Sequence, residues 1–164
     1  MSDAGELKVP TAKAIRDLLA DLIGREVTVA PGEPVVIGPG APGTAAVYVT
    51  DKLHMVALAV LDLPVTAFLG GALGLLPVGG VQDLLAEGEV SSSALDNVHE
   101  ILNVASALFN VPGAPHVKLY TLVSPGDLPP TDVSVAMKLL GGRIDLKVDV
   151  PGYGSGALSV MLTY

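Results

Sequence analysis

The chain has 164 residues, half of them hydrophobic, with a net charge of −8 and no cysteine. The missing thiols exclude disulfides, Cys-ligated zinc, iron–sulfur clusters and thiol catalysis, and fit a cytoplasmic protein. Nine scattered basic residues argue against nucleic acid and against an anionic membrane surface, because both need clustered Lys and Arg.

The first periodic segment, Thr11 to Gly24, reads as an amphipathic helix. Thr11 suits the N-cap, Ile15, Leu18, Leu19 and Leu22 form an apolar stripe, and Gly24 stops it. Residues 1–10 read as a flexible tail before it. From Glu26 to Leu61 the pattern is strands broken by turns. Val27–Val29 precedes Pro31-Gly32, and Val35–Ile37 precedes a Gly/Pro-rich loop, Gly38 to Gly43. That loop lacks the Lys-Ser/Thr pair of a phosphate loop and leads into no helix. Ala45–Thr50 and His54–Leu61 read as a hairpin across Asp51-Lys52, apolar enough to be covered on both faces.

Pro64 to Leu76 is a small, apolar helix candidate, weakened by Gly70-Gly71 but able to pack closely on a sheet. Gly79 to Glu87 is a second short helix with Val81, Leu84 and Leu85 inward. Ser91 to Asn110 then runs twenty residues without Gly or Pro. Three serines offer an N-cap. Leu95, Val98, Ile101, Leu102, Ala105, Leu108 and Phe109 fall on one side at ~100° per residue. Asp96, Glu100 and Asn103 fall within about 60° of each other on the other side, at i, i+4 and i+7. His116–Ser124 reads as a strand, Thr131–Leu140 as a short helix stopped by Gly141-Gly142, and Arg143–Val150 with Ala157–Thr163 as a closing hairpin around PGYGSG.

Helix, strands, helices, strands is an α+β order. It predicts one largely antiparallel sheet of about six strands with helices packed on it, in a single domain spanning 1–164. The mean hydropathy of +0.58 comes from Ala, Val and Leu, since the aromatics are four Tyr and two Phe. Such a surplus points to two-sided burial or to an apolar subunit interface, and so to a homodimer. The longest apolar run, Met55–Leu61, falls far short of the ~18 residues of a membrane span, and the N-terminal MSDAGELK lacks the basic and apolar regions of a signal peptide.

Taken alone, the row Asp96, Glu100, Asn103 is compatible with a solvated helix face. Two features set it apart. The helix carries no Lys or Arg to pair with its acids, and Asn is a poor choice in mid-helix. The row resembles the phosphatase motif of the CheC/CheX/FliY family of chemotaxis proteins. In that family an acidic or Ser residue, a Glu four later and an Asn three after that sit on an exposed helix, with a proline a little over twenty residues downstream. Here Pro125 lies 22 positions beyond Asn103. Two features depart from the family pattern: Ala105-Ser106-Ala107 lacks the glycine often found after the Asn, and the first helix has no second copy of the motif. The likeness is therefore to a single-motif, CheX-like member.

That resemblance implies hydrolysis of the aspartyl phosphate of a CheY-type response regulator. Glu100 and Asn103 would be catalytic. Asn103 would enter the partner's site and orient the attacking water, and Glu100 would pair with a regulator lysine. Asp96 and His99 would support docking at the rim. No cofactor of the chain's own is implied, because the Mg²⁺ would be supplied by the regulator. The alternative is a non-catalytic binding or scaffold protein of the same fold, like the flagellar switch relatives that lack the motif. His54, His99 and His116 are dispersed, without the spacing of a zinc site.

Overall fold

Two strands with almost no polar residues form the middle of the sheet. They are β2 (Gly43–Thr50) and β3 (Met55–Asp62), buried along nearly their whole length. In the computed structural model, which describes residues 6–164, they belong to a six-stranded sheet in the order β1-β5-β6-β3-β2-β4. The remaining strands are β1 (Thr28–Pro31), β4 (Val117–Val123), β5 (Arg143–Val150) and β6 (Gly154–Leu162), and every neighbouring pair is antiparallel. The expected α+β class and single sheet are therefore present.

Strand alternation sends the side chains of β2 and β3 into two separate cores. Ala46, Tyr48, Ala57, Ala59 and Leu61 face one side, together with Leu158 and Val160. There they meet three helices, α1 (Ala12–Ile23), α2 (Leu63–Leu73) and α4 (Ser92–Val104). Ala45, Val47, Val49, Leu58 and Val60 face the other side. That side is covered by Val35, Ile37 and the short α5 (Thr131–Ala136). This two-sided cover explains why the central strands are apolar on both faces.

The covering segment corrects the sequence reading of Val35–Ile37. It is no strand of the sheet: it lies across the sheet face, where the Val35 N–H donates to the Ser159 hydroxyl at 2.9 Å. Ser159 in turn donates to Asp145 at 2.6 Å, and Arg143 holds that carboxylate at 2.8 Å. Burial pushes the Asp145 carboxyl up, but the hydrogen bonds from Arg143 and Ser159 outweigh it and hold the group below the usual carboxylate range. The Arg143 guanidinium also donates to the carbonyls of Met137 and Leu139. Those contacts help close α5 at Ala136, four residues before the predicted end.

Residues 6–10 are likewise not a free tail. Leu7, 5 % exposed, belongs to the helix-side core, and Pro10 is buried. Residues 1–5 lie outside the described residues.

α1 begins and ends as the sequence indicates. The Thr11 hydroxyl accepts from Ala14 N, and Gly24 takes a left-handed φ of 67°. α2 starts on Asp62, whose carboxylate accepts from Val65 N and, across the sheet, from Ala157 N, both at 2.9 Å. A Cβ on Gly156 would lie 2.6 Å from both Asp62 Oδ1 and Val65 N. This crowding explains the glycine at 156. Half of the PGYGSG segment is strand: β6 begins at Gly154, three residues before the expected start, and pairs there with Val150. α3 (Val78–Ala86) leads from α2 towards α4 and buries only Val81.

Candidate functional site

α4 owes its start to Ser91, whose hydroxyl accepts from Ala94 N at 3.1 Å. Of the three serines it alone caps; Ser92 and Ser93 lie inside the helix. Ala94, Val98, Ile101 and Leu102 are buried. Regular α-helix stops at Val104, and Ala105–Leu108 tightens into a 3₁₀ turn, so the predicted single helix to Asn110 is in fact two segments. Tightening shifts bonding to i→i+3. The Leu102 carbonyl is met from below by the Tyr48 hydroxyl, which donates to it at 2.7 Å.

Two buried contacts fix this helix in rotation and height. Tyr48, on β2, is fully buried and stacks at a tilt on Phe109, with ring centroids 5.1 Å apart. Burial pushes its phenol well above the ordinary value, so it stays a neutral donor across the physiological range. The second contact is with α2. A Cβ on Gly70 would stand 2.1 Å from the Ala94 carbonyl oxygen, so only glycine permits this approach. Beside it the Asn97 amide donates to the Gly70 carbonyl at 2.9 Å.

With the helix so placed, Asp96, His99, Glu100 and Asn103 are all exposed. The sequence grouped Asp96, Glu100 and Asn103 on one face with His99 beside them, and all four reach solvent in the structure. Among the described residues none of these four side chains has a hydrogen-bond or ion-pair partner. The Asn103 carbonyl is tied down by the Ser106 hydroxyl at 2.8 Å, while its amide side chain points to solvent.

On one flank of the row a groove of about 380 Å³ separates α4 from the end of β4. Asp96 and His99 line it from the helix, with Ser92 and Leu95. Thr121, Ser124 and Pro125 line it from the strand side. Pro125 is thus brought beside Asp96, although the two are far apart in sequence. Glu100 and Asn103 continue the row beyond the groove. His54 and His116 lie elsewhere, at the β2–β3 turn and the start of β4, where His116 approaches Asp51 at 3.2 Å. Among the described residues no group of three or more His, Asp or Glu is placed to hold a metal ion.

The sequence reading missed Tyr48 and the groove hydroxyls of Ser92, Thr121 and Ser124. Tyr48 carried a signal, since a tyrosine within an apolar strand needs a partner for its hydroxyl. The groove residues carried none, because strand register alone brings β4 beside α4.

No protein-family model matches this chain, and no curated protein matches it in sequence. Solved structures do match. The FliM middle domain from H. pylori aligns with a TM-score of 0.57 at 9 % identity, over 93 % of this chain and 84 % of that one. A chain of the FliM–SpeE complex from H. pylori gives 0.58 at 11 % identity, over 93 % and 81 %. FliY from Thermotoga maritima gives 0.53 at 10 % identity, over 98 % and 86 %. At these identities the likeness is one of fold: the chain has the fold shared by FliY and the FliM middle domain. No helix among the described residues is long and apolar enough to cross a membrane.

Proposed function

We propose that this chain is a CheX-like phosphatase that hydrolyses the aspartyl phosphate of a CheY-type response regulator. The observation that carries the reading is the exposed, unpartnered row of Asp96, Glu100 and Asn103 on a helix whose position is fixed from beneath. Water attacks the phosphorus in line. The bond from phosphorus to the regulator's aspartyl oxygen breaks, and inorganic phosphate and a free carboxylate result. Catalysis of such a step is mainly positioning and electrostatics.

Asn103 carries both a donor and an acceptor on one planar amide. Its carbonyl oxygen accepts from the attacking water and its NH₂ donates to a phosphoryl oxygen. Glu100 pairs with the regulator's lysine and so sets how deep Asn103 enters. Asp96 and His99 meet the partner at the rim, beside the groove closed by Pro125. The Mg²⁺ belongs to the regulator and neutralises the phosphoryl oxygens there. A regulator of this class places the protein in the cytoplasm.

The test is the decay of a phosphorylated CheY-type regulator from the same cell, with and without this protein. Faster decay that vanishes with Asn103→Ala supports the reading; a variant that keeps full activity overturns the mechanism.

A second reading is a binding or scaffold protein that does not catalyse. Supporting it are the absence of the row from α1, the 3₁₀ turn where relatives often carry glycine, and the likeness of fold to FliM, one chain of which was crystallised in complex with SpeE. Tight regulator binding with an unchanged phosphate lifetime would favour it. In either case we propose a homodimer. Among the described residues β4 pairs with β2 alone; the Asn110 side chain answers the N–H and C=O of Val117, and the rest of the outer edge is open to another strand. Sedimentation at micromolar concentration should show a dimer; a sole 16.6 kDa species would count against it.

A further inference from the structure

The Asn103 amide is exposed and has no hydrogen-bond partner among the described residues. Its direction is therefore set by the backbone beneath it. Two side-chain hydroxyls act on that backbone, one on each of two consecutive carbonyls. Tyr48 Oη donates to the Leu102 carbonyl at 2.7 Å, and Ser106 Oγ donates to the Asn103 carbonyl at 2.8 Å.

Both carbonyls stand where the helix changes pitch. In a regular α-helix they would accept from the N–H groups of Ser106 and Ala107. Those residues belong to the 3₁₀ turn Ala105–Leu108, in which bonding runs from i to i+3. The hydroxyls thus sit at the joint that carries Asn103. The joint is itself tied to the sheet. The Asn110 amide donates to the Ser106 carbonyl at 3.1 Å. It also brackets Val117 of β4, donating to its carbonyl at 2.9 Å and accepting from its N–H at 2.8 Å.

Neither hydroxyl is explained by the core. The buried Tyr48 ring already supplies the contact with Phe109. A phenylalanine would fill the same place without taking a hydroxyl out of water, and the net gain from one such bond is modest. Ser106 is half-buried and stands between Ala105 and Ala107, where alanine is the better helix former. What the two hydroxyls add is a fixed pair of carbonyls under Asn103.

We propose that Tyr48 and Ser106 are positioning residues, whose hydroxyls hold the Leu102 and Asn103 carbonyls and so set the direction in which the Asn103 amide leaves the helix. The proposal rests on Asn103 being the group that orients the attacking water. An amide that meets a water and a phosphoryl oxygen at once tolerates little misplacement. Tyr48 lies buried beneath the helix and acts only through it.

The experiment compares Tyr48→Phe, Ser106→Ala and Ser106→Thr with Tyr153→Phe. Tyr153 is the control. It is 3 % exposed, and its hydroxyl likewise donates to backbone carbonyls, those of Gly71 and Leu76 around the end of α2. The probe is the CheY-type regulator of the same genome, charged with acetyl phosphate for turnover and activated with beryllofluoride for binding.

Tyr48→Phe and Tyr153→Phe should each lower the melting temperature by about 2–4 °C, the loss of one buried hydrogen bond. Only Tyr48→Phe should lower kcat, about tenfold, with KM and binding within about twofold of the parent. Ser106→Ala should lower kcat about fivefold, and Ser106→Thr, which keeps the hydroxyl, should restore it. Unchanged kcat in Tyr48→Phe overturns the proposal. So does an equal loss in Tyr153→Phe, which would assign the effect to general loosening, and so does a Ser106→Thr protein as slow as Ser106→Ala. When Asn103→Ala loses turnover and Tyr48→Phe keeps it, the positioning role alone fails. A parent that leaves the decay unchanged, or an Asn103→Ala protein with full turnover, overturns the phosphatase reading and the positioning role together.

Discussion

α1 and α4 pack on the same face of one sheet, and their outward surfaces are built differently. On α1, Lys13 donates to Asp17 at 2.6 Å and Arg16 reaches the same carboxylate at 3.0 Å. The hydrogen bonds from Lys13, then Arg16, hold Asp17 below the usual carboxylate range. Lys13 and Arg16 are thus both answered by Asp17, while Asp21, one turn on, has no partner among the described residues. α4 shows two acids, a histidine and an asparagine with no partner among the described residues. The helices also differ in how they are held. α4 is locked by Tyr48 and by the close approach of Gly70, whereas α1 buries an apolar stripe of Ile15, Leu19 and Ile23. A surface that merely keeps a protein in solution can neutralise its own charges. One that meets a partner must leave them open and rigidly placed.

Substitutions that act on one helix and spare the other put this contrast to the test. The largest effect is expected for Asn103→Ala, which should slow regulator dephosphorylation roughly 100-fold. Its melting temperature should not move, because the side chain is exposed and makes no internal bond. Decay of the phosphorylated regulator and a thermal melt, measured together, check both halves. Gly70→Ala attacks the placement of α4 and leaves the row intact. Its Cβ would overlap the Ala94 carbonyl, and forcing the helices apart should cost about 2–3 kcal/mol in urea unfolding. Turnover should fall with it, because the row shifts against the Pro125 groove. Unchanged activity in a destabilised Gly70→Ala protein would show that α4 need not be held so closely. Asp17→Ala should do least. Exposed pairs of this kind contribute little, so neither the urea midpoint nor the dephosphorylation rate should change measurably. A loss of activity there would place part of the docking surface on α1 and end the contrast.

The local signals in the sequence were enough for most elements. Thr11 and Gly24 bracket α1, strict alternation marks β5, and the apolar runs of β2 and β3 announce strands covered on both sides. All of these follow from short-range chemistry: caps, periodicity and the burial each period implies. The row on α4 was legible for the same reason, since helical spacing alone puts Asp96, Glu100 and Asn103 on one face.

What the tertiary structure decided was everything that depends on two distant segments meeting. Val35–Ile37 has the composition of a strand, yet it lies over the sheet because Ser159 offers its backbone a partner. Leu7, in a stretch that resembles a tail, belongs to the helix-side core, and Pro10 after it is buried. The 3₁₀ turn after Val104 accompanies a hydroxyl contributed by Tyr48 from another element. Pro125 joins the site only because β4 runs beside α4, and Asn97 reaches the Gly70 carbonyl only because Gly70 lets α2 approach α4 so closely. Periodicity along a chain fixes which way a side chain faces; which neighbour it faces is set by packing, and no local pattern records that.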